Sequence, residues 1–160
     1  MGFFNKYRKL VSIVDGECKP LSQMNDEVFS SGMLGKGFMV EPKSNYFYAP
    51  CDGKIENIAE TKHAYSILTD DGIDILIHIG IDTVSLKGEK FESQVVEGQK
   101  IKSGDLIAIS DIEEIKKLGY ETSTAVIVTT TEKIEKIDFN YGTVLGGTDV
   151  CMSFKLGDRI

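Results

Sequence analysis

The stretch HAYSILTDDGIDILIH, residues 63–78, reads as a single β-hairpin and carries both histidines of the chain, one at each end. Its two arms are rich in β-branched and aromatic residues, and the Asp-Gly pair between them is a preferred hairpin turn. If Asp71 and Gly72, or the two residues one position earlier, form a two-residue turn, facing residues have numbers with an odd sum. Because side chains alternate along each strand, an odd sum predicts that His63 and His78 share one face of the hairpin. A three-residue loop would give an even sum and would separate them.

Short strands and tight turns fill most of the remaining sequence. In residues 111–120, by contrast, apolar residues fall three apart, Asp111 is a candidate cap and Gly119 a candidate stop, which predicts one short helix. Weak internal echoes of an Asp-Gly turn followed by a strand suggest two similar layers. The pattern therefore predicts an all-β, pseudo-symmetric sandwich or barrel. Strands are predicted at 9–14, 37–42, 46–50, 54–60, 64–69, 73–79, 105–110, 124–130 and 149–156.

The composition limits the size of the fold and the class of partner. A chain of 160 residues with 41% apolar residues is long enough for one well-buried domain, which we place at residues 11–160 after an N-terminal tail at 1–10. The net charge of −7 and the lack of a basic cluster argue against nucleic acid as a partner. The three cysteines form no C-x-x-C pair, so we expect reduced thiols. With no long apolar run and no signal-peptide pattern, the sequence predicts a cytoplasmic protein.

The N-terminal stretch GFFNKYRKL, residues 2–10, combines basic and aromatic side chains. Such a stretch could lie on an anionic membrane as a short amphipathic helix, which would give the protein a peripheral membrane contact. A frayed tail is the other interpretation, and we favour it because the stretch is brief and terminal.

Two imidazoles on one face have three interpretations. They could be ordinary half-buried strand residues, since histidine is of intermediate burial. They could be two ligands of a Zn²⁺ ion, although no third ligand lies nearby in the sequence. His78, set in the apolar stretch ILIHIG, could also be a phosphoryl acceptor, because a neutral imidazole is a competent nucleophile and His63 could donate a hydrogen bond to the phosphoryl group.

Four motifs decide among these interpretations by resemblance: TKHA around His63, IHIGIDTVSLKGEKF around His78, EGQKIKSGDLI, and GYETSTAVIVT. Residues 11–155 closely resemble the glucose-type enzyme IIA domain of the phosphoenolpyruvate-dependent sugar phosphotransferase system. The resemblance implies a barrel-sandwich-like antiparallel β-sandwich with one or two short helices. Cys51 in place of a small apolar residue, Ala125 in place of a frequent proline, and FMVEP are departures that we expect to lie outside the phosphoryl site.

The resemblance also implies a role for each residue of the site. His78 matches the residue that accepts a phosphoryl group from the histidine phosphocarrier protein and passes it to a cysteine on the IIB domain of a sugar permease. His63 matches a second histidine that supports the phosphoryl group without carrying it, and Thr61 a threonine that orients that histidine. Gly80 would let the backbone approach the phosphohistidine, and Asp82 would shape the rim. No cofactor is required for this relay.

Partner docking needs an apolar surface that excludes water during transfer. We expect that surface to be a rim formed by Phe29, Leu76, Ile77 and Ile79, with simple core packing as the alternative for each of these residues.

A second function class also fits the sequence. The chain could be a regulatory binding module that docks on permeases or kinases. His63 and His78 would then supply part of an intermolecular zinc site that a carboxylate of the partner completes.

Overall fold

The computed structural model describes residues 7–157, and most of the regular secondary structure in that range is short strands. The strands are β1 Tyr7–Val11, β2 Gly16–Pro20, β3 Lys36–Pro42, β4 Tyr46–Tyr48, β5 Gly53–Ile58, β6 Ala64–Leu68, β7 Asp74–Ile79, β8 Phe91–Ser93, β9 Lys100–Ile101, β10 Leu106–Ser110, β11 Thr124–Val128, β12 Ile134–Phe139, β13 Gly142–Val144 and β14 Val150–Leu156. The α-helices are α1 Glu27–Ser30 and α2 Ile112–Lys117, and 3₁₀ turns occupy Leu21–Gln23, Thr83–Leu86 and Thr131–Lys133.

These strands form three sheets, and each strand pair in the described range is antiparallel. The largest sheet has the order β13-β2-β3-β11-β7-β6-β5-β9, and two three-stranded sheets have the orders β1-β14-β12 and β4-β10-β8. The predicted all-β antiparallel architecture with short helices is confirmed.

Strand β7 separates two apolar clusters because its side chains alternate between the two faces of the large sheet. Ile75, Ile77 and Ile79 point into the main core, which side chains from all three sheets build. Leu76 packs on the opposite face against a smaller cluster that includes Phe29 of α1. His78 falls on this second face by alternation, so it lies at the margin of the smaller cluster and not in the main core.

The β6–β7 hairpin has an even register, so the odd sum predicted from the sequence is wrong. Ala64 faces His78, and the pairing continues to the loop, where Thr69 N donates to Ile73 O at 3.0 Å. Gly72 adopts φ +83°, the left-handed conformation that a three-residue hairpin loop requires at its last position. The Asp-Gly pair therefore closes a loop of three residues and not a turn of two.

The predicted helix at 111–120 is confirmed as α2. Asp111 caps it by accepting a hydrogen bond from Glu114 N at 3.2 Å, and Gly119 follows it with φ +93°. The first strand begins at Tyr7, earlier than the predicted tail boundary, because β1 pairs with β14 from Tyr7 opposite Lys155 onward.

The proposed membrane contact concerns the N-terminal tail, of which residues 1–6 lie outside the described residues. Within residues 7–157, none of the helices has the length and apolar character needed to cross a membrane.

Candidate active site

The ring of His78 is held in one tautomer by the backbone that follows β7. Its Nδ1 atom lies 2.8 Å from the carbonyl oxygen of Gly80. A carbonyl oxygen only accepts hydrogen bonds, so Nδ1 carries the ring proton and Nε2 keeps its lone pair. His78 therefore presents a nucleophilic nitrogen from a half-buried position.

His63 reaches the same place by a different route. It precedes β6 and follows Lys62, whose φ of +61° breaks the regular alternation of the strand. Ile79 N donates to His63 O at 2.7 Å, which fixes the two backbones side by side. The ring centroids of His63 and His78 are 4.9 Å apart, with the rings edge-to-face at 80°. The two imidazoles are thus neighbours although the hairpin register is even.

Thr61 contacts the far side of the His63 ring. Its Oγ1 atom lies 2.6 Å from His63 Nδ1, and His63 itself is 7% exposed. With the hydroxyl donating to Nδ1, the proton of a neutral His63 ring lies on Nε2. The ring then offers one N–H donor at the site.

Burial keeps both imidazoles neutral at pH 7. Loss of solvation, followed by repulsion from His78, lowers the pKa of His63 to about 4. Loss of solvation also lowers the pKa of His78, against the opposing effects of the Gly80 carbonyl and the carboxylates of Asp26 and Asp82. The site therefore combines a neutral nucleophile with a neutral donor.

The loop after β7 positions the Gly80 carbonyl and requires glycine there. Gly80 has φ +78°, and a Cβ atom would lie 2.5 Å from Thr83 Cγ2 and 3.0 Å from Glu121 O. Thr83, which is fully buried, donates from Oγ1 to Ile79 O at 2.5 Å, and Ile81 N donates to Glu121 O at 3.0 Å. Sequence reasoning named Gly80 but missed the supporting roles of Thr83 and Glu121.

Helix α1 places an aromatic ring on His78. The centroid of Phe29 lies 4.8 Å from that of His78, and Asp26 caps the helix by accepting from Val28 N at 2.9 Å. Asp26 thus both caps the helix and offsets part of the lowering of the His78 pKa by burial, a role that the sequence analysis missed. Its only signal was an acidic residue two positions before the apolar pair at 28–29.

The predicted apolar rim is partly wrong. Phe29 and the half-buried Leu76 lie on the His78 face, but Ile77 and Ile79 are fully buried in the main core because they alternate with His78 along β7. Asp82 is exposed, with φ +59°.

Exposed apolar side chains instead occur in the segments that flank the site. Val28 lies on α1, Met33 just beyond it and Val84 in the turn after Asp82. The isolated Val84 and the short apolar pairs at 28–29 and 33–34 carry no periodic signal, so the sequence pattern did not find these exposed side chains.

One departure from the family pattern lies closer to the site than expected. Ala125 of β11 faces His78 directly across the sheet and is fully buried. Directly paired residues share a face, so the expectation that this position lies outside the site is wrong. Cys51 lines a cavity of about 400 Å³ beside the hairpin loop, at the other end of β6 and β7.

The residues of the site do not form a metal centre by themselves. Each histidine uses Nδ1 in a contact with the protein, which leaves only the two Nε2 atoms as ligands. Within residues 7–157, no group of three His, Cys, Asp or Glu side chains is placed to hold a metal ion. Zinc in proteins takes four ligands, so a metal here would need ligands from a second molecule.

Residues 8–134 match the model of a family described as phosphoenolpyruvate-dependent sugar phosphotransferase system, EIIA 1. The chain is 43% identical over 129 residues to the PTS system glucose-specific EIIA component of Mycoplasma capricolum subsp. capricolum, covering 81% of this chain and 84% of the relative. It is 42% identical over 129 residues to the PTS system glucose-specific EIICBA component of Streptococcus pneumoniae, covering 81% of this chain but only 18% of the relative's length. The solved structure of glucose permease IIA from Mycoplasma capricolum superposes with a TM-score of 0.86 at 40% identity, covering 95% of this chain and 99% of that structure.

Proposed function

We propose that this chain, which belongs to the EIIA 1 family of the phosphoenolpyruvate-dependent sugar phosphotransferase system, carries the transferred phosphoryl group on Nε2 of His78. Membership in the family makes the chain a phosphocarrier of sugar uptake. The observation that carries the proposal is the contact between His78 Nδ1 and Gly80 O, which leaves the Nε2 lone pair for attack.

The transfer needs little chemistry beyond position and charge. Nε2 of His78 attacks the phosphorus of a phosphohistidine donor, the new P–N bond forms as the old one breaks, and the donor imidazole recovers its electron pair. The proton on His78 Nδ1 stays in its hydrogen bond to Gly80. In the second step a thiolate attacks the phosphorus, and the P–N bond electrons return to Nε2. Both steps use a loose transition state whose charge lies on the phosphoryl oxygens.

His63 and Thr61 support that charge. The neutral ring of His63, with its proton on Nε2, donates a hydrogen bond to a phosphoryl oxygen. The Thr61 hydroxyl keeps the ring in the required tautomer and orientation. The low pKa of His63 means that it acts as a neutral donor and not as a cation at pH 7.

The proposed partners are the histidine phosphocarrier protein as donor and a IIB domain as acceptor, with the chain in the cytoplasm. The name of the EIICBA relative places B and C components with an A component in one protein, which supports a IIB acceptor. Val28, Met33 and Val84, in the segments that flank the site, expose apolar side chains that a partner could contact. The free state of the described cysteines fits a reducing compartment. Glucose is the first sugar to test, because the relatives are named as glucose-specific.

An intermolecular zinc site is the second proposal. The two adjacent imidazoles favour it, since they supply two ligands and leave room for a carboxylate of a regulatory partner. A complex that depends on this site should weaken on chelation of zinc and in His63→Gln.

Labelling tests the main proposal. The full chain is incubated with phosphoenolpyruvate, enzyme I and the histidine phosphocarrier protein, and the label is located by peptide mapping. We expect one phosphate per chain, labile in acid and stable in base, on His78 alone. Label on His63, or label that persists in His78→Ala, would contradict the proposal. His63→Gln is the matched control and should still be labelled.

A further inference from the structure

Two buried cysteines lie in contact far along the chain from each other. Cys18 of β2 and Cys151 of β14 are 1% and 0% exposed, belong to the main core, and are both free thiols. The thiol of each cysteine shifts the pKa of the other, so the two side chains are neighbours. The phosphoryl site uses neither residue.

The backbone explains why the two thiols meet. Cys18 faces Gly142 across the β13–β2 pair, and Asn140 N donates to Cys151 O at 2.8 Å. Only Tyr141 separates Asn140 from Gly142, so the two cysteines flank one short link between β12 and β13. Such proximity of two strands is the first requirement for a disulfide.

We propose that Cys18 and Cys151 form a reversible disulfide that fastens β14 of a three-stranded sheet to β2 of the large sheet. The oxidant is a small-molecule disulfide, RSSR. One cysteine attacks it, forms a mixed disulfide and releases RSH; the second cysteine then attacks the first, closes the S–S bond and releases another RSH. Overall, two protein thiols and one RSSR give one protein disulfide and two RSH.

The order of these attacks follows from the effect of each thiol on the other. The neighbouring Cys18 lowers the pKa of Cys151, whereas Cys151 and burial raise the pKa of Cys18. Cys151 is therefore the better first nucleophile, and Cys18 resolves the mixed disulfide. Cys51 provides an internal control, because burial and the nearby carboxylates of Asp52 and Asp71 raise its pKa to about 12.

The sheet edge provides a route for the oxidant. β13 is a three-residue edge strand that covers β2, and it is flanked by the exposed side chains of Tyr141 and Leu145. Short edge strands open locally at low cost, so transient release of β13 together with Asn140, which is hydrogen-bonded to the backbone of Cys151, uncovers both cysteines without global unfolding.

The cross-link is also independent of the phosphoryl site. Cys18 pairs with Val40, Val40 with Thr124, and Thr124 with Ile79. Three strand spacings put β2 about 14 Å from β7.

The test uses the folded, full-length chain and bis(2-hydroxyethyl) disulfide as the oxidant. After quenching and denaturation, remaining thiols are alkylated and the intact mass is measured. We expect monomeric protein that has lost two hydrogens and gained one alkyl group, on Cys51, with peptide mapping linking Cys18 to Cys151. Because the cross-link closes a loop of roughly 130 residues, the urea midpoint should rise by about 1–2 M and return after reduction.

Two variants sharpen the result. Cys51→Ala should still lose two hydrogens, and Cys151→Ala should not. The wild-type mapping does not depend on either variant folding. Intermolecular dimers only, stable mixed disulfides only, thiols that resist the oxidant in the folded protein, or a midpoint that fails to rise would each overturn the proposal. None of these outcomes depends on labelling of His78, so the two proposals fail separately.

Discussion

Replacing His63 with Gln should separate the two half-reactions of the phosphoryl relay. The change keeps a neutral N–H donor but loses the ring that lies edge-to-face with His78 and the Nδ1 contact to Thr61. The label should still reach His78, because Gly80 O and not His63 holds the reactive tautomer of His78. Onward transfer to a IIB cysteine should slow.

The expected loss of rate in His63→Gln is that of one misplaced hydrogen-bond donor. A single preorganised hydrogen bond to charge on a transferring group contributes about 10²-fold in rate, or roughly 2.7 kcal/mol. We therefore expect onward transfer to fall by about 10²-fold in His63→Gln and both half-reactions to disappear in His78→Gln.

Single-turnover assays of each half-reaction provide the measurement, since steady-state sugar uptake mixes the two. A urea titration of each variant controls for loss of the fold. Equal loss of acceptance and donation in His63→Gln would refute the separation of roles. Unchanged donation would make His63 an ordinary buried strand residue.

Two further predictions concern stability. The free energy of unfolding should fall as the pH drops from about 6.5 to about 4, because the unfolded chain binds a proton on His63 in that window while burial keeps His63 neutral in the folded protein. Urea titrations at several pH values should show a shallower fall for His63→Gln. An identical dependence on pH in the two proteins would contradict this. Gly80→Ala should lower the free energy of unfolding by about 3 kcal/mol, because residue 80 has a left-handed backbone and its new Cβ atom would clash with Thr83. Gly98→Ala is the control and should cost about 1 kcal/mol, because Gly98 also has a left-handed φ of +89° but no atom lies within 4 Å of a Cβ there. Equal urea midpoints for the two variants would contradict a costly clash at Gly80.

The sequence predicted the strands that bury both faces or one clear face. β3, β7 and β11 are central strands of the large sheet, and each contains a run of apolar residues that is visible in the sequence. The five strands that were not predicted, β2, β8, β9, β12 and β13, are short or rich in polar residues. Their pairing comes from tertiary contacts, which local propensity does not contain.

The sequence predicted the histidine motif of the site better than the apolar surface around it. His78 and Gly80 lie in one motif, so their relation is local and the sequence carries it. The apolar surface was predicted poorly because Ile77 and Ile79 pack in the core, whereas the exposed Val28 and Met33 lie in segments without a periodic apolar pattern. Apolar character alone does not say which face of a strand a residue occupies when its register is unknown.

The meeting of the two histidines shows how a wrong register can still accompany a correct site. The odd register was inferred from the Asp-Gly pair, and Gly72 instead closes a three-residue loop that places Ala64 opposite His78. In a regular hairpin that pairing would send the side chain of residue 63 to the opposite face. His63 instead lies just before the regular strand, next to the left-handed Lys62, and its imidazole approaches His78 at the end of the sheet. The functional pair therefore forms where the regular strand ends, and a pairing rule for regular strands does not apply to it.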